Sequence, residues 1–186
     1  MVVEKCNNRE RVTQKLLSLF CEKVDECLKT KELVKFAVAT GNTYSGFLKR
    51  LHEMDIPFNK IDLFVVDEYA GIDYDDERSC TIDLCRDLKY IEMFHQTFFF
   101  NAESYLEQLK KMNAKLDDDP LDILLLGIGN DGHFAFCNRS EEYSKKDTYA
   151  IVHFTNSDIA KQVEYGWFSS REMVPKEGIT ITKYGV

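Results

Sequence analysis

The chain predicts an α/β fold: three αβα layers around a mostly parallel, Rossmann-like sheet. Three observations carry that reading. Short apolar runs of strand type alternate with segments of helical periodicity, the pattern of successive βαβ units. One run, from Leu121 to Leu126, is bounded by Pro120 and by three glycines in six residues, Gly127, Gly129 and Gly132. It reads as a strand buried on both faces. It empties into a loop with Asp131 and His133 two positions apart, and open α/β sheets place ligands just beyond the carboxyl ends of their strands.

The elements follow in order. Apolar positions recur at helical spacing from Arg9 to Leu28, through Val12, Leu16, Leu19 or Phe20, Val24 and Cys27. Val34 to Ala39 predicts a short strand, followed by Thr40-Gly41-Asn42-Thr43. Helical spacing resumes through Phe47, Leu48 and Leu51, and Pro57 ends that unit. Ile61 to Val66 predicts a second strand that runs into Asp67-Glu68-Tyr69. An acidic loop from Asp73 to Glu77 then leads to a helix near Ser79 to Leu88. Thr97 to Phe100 predicts a third strand and Ala102 to Leu116 a helix. After the Leu121 strand comes a polar segment from Asn138 to Asp147, then strands at Ala150 to Phe154 and Ile179 to Thr182. No helix follows that last strand, so one flank of a doubly wound sheet is left uncovered. The chain therefore reads as C-terminally shortened, or as covered by a partner.

At 186 residues the chain is long enough for one domain with a sizeable core, and no repeat or linker divides it. A net charge of −8 argues against general nucleic-acid binding, which needs a basic face. It leaves room for a small anion, because backbone N–H groups in one loop supply positive potential locally. No window approaches 18 uninterrupted apolar residues, so no membrane span is expected, and the N-terminus carries no apolar signal segment. The six cysteines form neither CxxC pairs nor a secreted-type framework. Cys21 and Cys27 share a helical stripe with Leu17, Phe20, Val24 and Leu28, so they read as reduced core residues and the compartment as cytoplasmic.

Three strand-end loops carry the chemistry. Thr40-Gly41-Asn42-Thr43 gives a phosphate access to backbone N–H groups at a helix N-terminus, although a plain polar cap after a strand explains it as well. Asp67 stands where a carboxylate takes a carbon-bound proton if partial burial brings its pKa near the working pH. The bland alternative is that Asp67 caps a turn and Glu68 is solvated. The third loop sets Asp131 and His133 within Gly-Asn-Asp-Gly-His, an unusual setting for a surface histidine.

Together these loops resemble the glucosamine-6-phosphate deaminase (isomerase) family, in the wider group that includes the 6-phosphogluconolactonases. Ala39-Thr40-Gly41-Asn42-Thr43 is similar to that family's ATGST-type phosphate loop. Val66-Asp67-Glu68-Tyr69-Ala70-Gly71 resembles its LDEYVGL, and Gly127 to Phe136 its GxGxDGHIAF. Val174-Pro175-Lys176 and Ile179-Thr180 resemble its VPK…LTVG segment. The likeness runs from about residue 34 to 182. The lactonases usually have Arg after Asp-Glu, so Tyr69 favours the amino-sugar branch.

The resemblance implies a 2-amino-2-deoxyhexose 6-phosphate (glucosamine or galactosamine 6-phosphate) converted to a ketose 6-phosphate plus ammonia. It implies Asp67 as the base between C2 and C1, and His133 as the ring-opening group with Asp131 orienting it. Thr40, Gly41, Asn42 and Thr43 would hold the phosphate, with Glu68 and Gly132 also against substrate. No metal or organic cofactor is called for, because the substrate's amine serves as electron sink. A sugar phosphate is the expected partner, without nucleic acid or membrane, and a homo-oligomer is open.

Two places depart from the family pattern. Asn138 stands where the family has a Glu that completes the histidine relay, with Glu141 and Glu142 nearby. Asp158, in Ser157-Asp158-Ile159-Ala160, stands where a helix-start Arg meets the phosphate, and an acid there repels an anion; Lys161 is the nearest compensating cation. A lactonase-like hydrolase and a catalytically weak, sugar-phosphate-binding paralogue are the alternatives. Phe94, Phe98, Phe99 and Phe100 read as core or subunit contact. Tyr165 with Trp167 and Phe168 read as exposed, a pattern that favours association between copies.

Overall fold

The computed structural model describes residues 2–129, 132–137 and 147–186. Its first sheet is parallel. Strands β1 (Val34–Val38), β2 (Ile61–Val65), β4 (Gln96–Phe98) and β5 (Ile123–Leu125) lie in the order β4-β2-β1-β5, with Val34 opposite Ile61 and Phe36 opposite Ile123. β1 and β2 are buried along their whole length, as central strands covered on both faces must be.

Helix α1 (Arg9–Cys27) begins where the Asn8 side chain accepts from Arg11 N at 2.9 Å, an N-cap that satisfies one orphan donor of the first turn. Its buried stripe of Leu17, Phe20, Val24 and Cys27 has the spacing of one helix face. Phe20 meets Phe36 of β1 at 4.6 Å and Phe47 of α2 (Ser45–Leu51) at 5.5 Å, in tilted and edge-on contacts, the geometries aromatic quadrupoles favour. α2 packs in turn against α3 (Cys80–Leu88).

One buried cation sits in the core. Lys35, the second residue of β1, sends its ammonium to Lys115 O at 2.8 Å and to the Asp119 carboxylate at 3.0 Å. A buried charge persists only when paired and hydrogen-bonded in this way.

The second sheet is antiparallel, in the order β3 (Asp67–Tyr69), β7 (Glu177–Ile181), β6 (Tyr149–His153). Only Val66 separates β2 from β3, so the chain passes directly from one sheet to the other. Ile181 N donates to Val66 O at 2.9 Å, and the buried Tyr149 hydroxyl donates to Val65 O at 2.6 Å. These bonds fix the sheets side by side. α4 (Tyr105–Asp117) reaches the second sheet through Asn113, whose amide exchanges two hydrogen bonds with the Tyr149 backbone.

The α/β class with its parallel sheet agrees with the sequence reading, and three details differ. The strands expected at Ala150 and Ile179 form the separate antiparallel sheet, because hydrophobic pattern reports burial and not strand direction. The Leu121 run yields only Ile123–Leu125, with Ile123 buried and Leu124 and Leu125 half-buried. Among the described residues it pairs with β1 alone, so it is an edge strand and not one covered on both faces. Helix α5 (Asn156–Glu164) was marked in the sequence only by its start. Its Thr155 cap and Asp158 form a reciprocal capping box, which ties the Asp158 carboxylate to Thr155 N at 2.9 Å and Thr155 Oγ1 at 2.7 Å. The four phenylalanines near residue 98 are core: Phe94 and Phe100 are buried, and Phe98 stacks on Phe64 at 4.4 Å. Phe168, expected outside, is buried beside Tyr69, while Tyr165 and Trp167 are exposed.

Candidate active site

The carboxyl ends of β1, β2 and β5 open into a cleft of about 290 Å³, near the lower bound of small-molecule sites (roughly 300–1,000 Å³). Thr40 and Thr43 line it after β1, Asp67 and Tyr69 after β2, and Gly127, Gly129 and His133 after β5. Three segments remote in sequence thus share one crevice, as parallel strand ends require.

Local bonds hold the loops. Tyr44 donates its hydroxyl to Leu126 O at 2.7 Å, and Ala39 N donates to Leu125 O at 2.9 Å, joining the first loop to the third. Gly41 has φ 95° and nothing near its missing β-carbon, so conformation and not space calls for glycine there. Gly129 is the opposite case. A β-carbon on it would overlap the His133 imidazole, so the ring occupies the space that a side chain there would need. Gly129 N donates to His133 O at 2.8 Å, and Gly132 N donates to Gly129 O at 2.8 Å, closing the turn. Phe136 N then reaches Thr180 Oγ1 at 3.1 Å, and Cys137 Sγ bonds Ile181 O, pinning the loop's far end to β7.

Asp67 is half-buried at the cleft wall, with its backbone paired to Thr180 in the β3–β7 ladder. Burial, reinforced by the neighbouring charge of Glu68, pushes its carboxyl up to about 7. Desolvation disfavours the ionised form, and a like charge adds to the effect. A carboxyl poised there is half ionised at neutral pH, the state a general base needs.

Glu68 points the other way. It is fully buried, and its carboxylate accepts from Tyr69 N (2.8 Å), Cys80 N (3.0 Å), Thr81 N (2.9 Å), Thr81 Oγ1 (2.7 Å) and Ser79 Oγ. It closes the N-terminus of α3, where backbone N–H groups and the helix dipole favour an anion. The structure thus places Glu68, expected against substrate, beneath α3 and outside the cleft lining. Neither is it solvated. Gly41, Asn42 and Gly132 shape the turns but do not line the cleft, whereas Thr40 and Thr43 do. Asp131, Asn138, Glu141 and Glu142 lie outside the described residues.

The cleft also holds residues that the sequence reading did not single out for the site: Arg78, Ser79, Cys80 and Asp83 from the turn into α3, and Gln162 from α5. Tyr69 donates its hydroxyl to Gln162 Oε1 at 2.6 Å. Its ring meets Phe136 at 5.2 Å and Phe168 at 5.0 Å, giving the cleft an aromatic floor, and burial raises its phenol pKa. The Cys80 thiol contacts Thr40, and burial raises it well above the usual thiol range. The available signal for Arg78 was a lone cation ending the acidic run Asp73 to Glu77, just before the Ser79 cap.

A carboxyl and an imidazole thus face one cleft at the strand ends of an α/β sheet. Comparison with known proteins identifies the family. The family model described as glucosamine-6-phosphate isomerases/6-phosphogluconolactonase matches residues 7–163, and the chain belongs to that family. The glucosamine-6-phosphate deaminase of Bacillus cereus (strain B4264) is 27% identical over 160 residues, 85% of this chain and 60% of its own length. That of Leuconostoc citreum (strain KM20) is 26% identical over 183 residues, 97% of this chain and 75% of its own. The chain thus spans only 60% of the length of the Bacillus relative. Among solved structures, a monomeric glucosamine-6-phosphate deaminase superposes with a TM-score of 0.79 at 23% identity, over all of this chain and 77% of the other. A 6-phosphogluconolactonase from Thermotoga maritima superposes with a TM-score of 0.68 at 19% identity, over 91% of this chain and 72% of the other. At these identities the structures establish the shared fold.

Proposed function

We propose that the chain converts a 2-amino-2-deoxyhexose 6-phosphate to the ketose 6-phosphate with release of ammonia. The observation that carries this reading is the Asp67 carboxyl, raised to about 7 and set in the same cleft as His133. An acid/base pair tuned in this way suits proton abstraction beside a carbonyl at neutral pH.

In the proposed sequence His133 moves the proton that opens the pyranose ring. Asp67 then takes the C2 proton of the open-chain aldehyde, giving an enol that carries the substrate's own amine. The same carboxylic acid returns the proton to C1, which leaves an imine at C2. Water adds to that imine and expels ammonia. Asp67 starts and ends ionised, so one group serves both transfers.

A lactone hydrolase is the second reading, favoured by the family description that covers both activities. Hydrolysis of a lactone needs no carbon base. Asp67→Asn would therefore leave most of a lactonase rate while removing the deaminase rate. A coupled ammonia assay over glucosamine and galactosamine 6-phosphates tests the first reading directly: ammonia release that depends on Asp67 supports it. Hydrolysis of 6-phosphogluconolactone without ammonia from either amino sugar transfers the assignment to the second reading.

A further inference from the structure

We propose that Arg78 is the cation that grips the substrate's phosphate in this cleft. This inference rests on the sugar-phosphate reading above.

A hexose 6-phosphate brings a doubly charged anion into the site. Among the described residues lining the cleft, the acids are Asp67 and Asp83, and Arg78 is the one permanent cation. Asp83 is paired with Arg86 of the same helix at 3.2 Å. Arg78 ends the turn that lies beside the first loop, because Cys80, two residues on, contacts Thr40. Arg78, Thr40 and Thr43 thus line the same cleft.

The guanidinium is held rather than loose. Its Nε donates to Asp76 Oδ1 at 2.9 Å and its Nη2 to Asp76 Oδ2 at 2.6 Å, while Arg78 N also donates to Asp76 Oδ1 at 2.9 Å. These bonds raise the Arg78 pKa and hold the Asp76 carboxyl down at about 2, so the pair keeps both charges across the neutral range. The fork occupies one edge. A guanidinium has five N–H donors, and among the described residues its Nη1 makes no hydrogen bond to protein. That second edge suits a phosphate oxygen pair, the bidentate geometry in which arginine surpasses lysine.

The obvious competitor is already used. The N-terminal N–H groups of α3 at Cys80 and Thr81 go to Glu68, and Ile82 N goes to Ser79 Oγ. The helix end therefore offers an anion little, and the arginine beside it remains. Asp158 does not take a family arginine's place as a free acid, since its carboxylate accepts from its own cap. Because Asp76 offsets part of the charge, affinity comes from direct contact more than from long-range attraction.

Calorimetry on the full chain tests this with fructose 6-phosphate, and with fructose as the uncharged control. Arg78→Ala should weaken fructose 6-phosphate binding roughly ten- to a hundredfold, the loss typical of a charge-assisted hydrogen-bond pair. Arg78→Lys should recover part of it, and fructose should bind both variants as it binds the wild type. In turnover the same loss should fall on KM, with kcat within about threefold, since phosphate contacts serve ground and transition states alike. Arg78→Ala binding within about twofold of wild type overturns the inference. So does phosphate affinity lost in Lys161→Ala but kept in Arg78→Ala, or a wild type that binds no fructose 6-phosphate. Arg78-dependent binding in a protein that releases no ammonia keeps this inference and removes the proposed function. Ammonia release with KM indifferent to Arg78 does the reverse.

Discussion

Replacing Asp67 with Asn should make the protein more stable, by an amount that depends on pH. The folded-state carboxyl titrates at about 7 and the unfolded one at about 3.9. Between those values the folded protein holds a proton that the unfolded chain has released, so wild-type stability falls as pH rises through that window. The shift of about three pKa units, at roughly 1.4 kcal/mol each, sets an upper bound near 4 kcal/mol; the half-open position of Asp67 makes about 2–3 kcal/mol the working expectation. The amide of the variant has no such titration. Urea unfolding of both proteins at several pH values reads the difference without any substrate. The gap between the Asp67→Asn variant and wild type should be smallest near pH 4, widen through about pH 7 and level off by about pH 8. A gap that stays constant over this range would refute the claim that burial and Glu68 raise this carboxyl, and would leave Asp67 an ordinary acid.

Three further outcomes follow from other contacts. Gly129→Ala places a methyl where the His133 ring lies, so turnover should drop about a hundredfold, the cost of misplacing a catalytic group by about 1 Å, while circular dichroism stays native. Glu68→Ala takes the carboxylate acceptor from two buried hydroxyls and from the Tyr69 and Cys80 N–H groups. It should cost about 3 kcal/mol or more in denaturant unfolding, and a loss below about 1 kcal/mol would deny Glu68 its anchoring role. Tyr149→Phe removes the bond to Val65 O and leaves that carbonyl without its donor, so a loss of about 1–2 kcal/mol is expected by the same measurement.

Much of this molecule was legible in the sequence because its strands are short, apolar and bounded by glycine, proline or acid. Val34–Val38 and Ile61–Val65 are buried along their length, so continuous hydrophobicity marked them without ambiguity. The convergence of Asp67 and His133 on one cleft follows from parallel strand ends, a topological consequence of the βαβ pattern. What stayed hidden depends on direction and on side-chain destination. The residues of β6 and β7 read as strands, yet nothing in their order says that they pair antiparallel with β3. Asp67 and Glu68 are adjacent acids with no local signal to separate them. Alternation along β3 sends one into the cleft and the other under α3, and only the contacts reveal which is which. Arg78 lay unseen for a similar reason, since its place in the wall depends on how the turn before α3 folds against Thr40.

The proposed reaction turns on Asp67 carrying a carbon-bound proton inside this cleft. Incubating the protein with fructose 6-phosphate and ammonium in deuterated water, and following C1 by proton NMR, measures that step directly. Wild-type protein should exchange one C1 hydrogen stereospecifically, and the Asp67→Asn variant should show none above background. Exchange that persists in that variant would place the base elsewhere and remove Asp67 from the reaction.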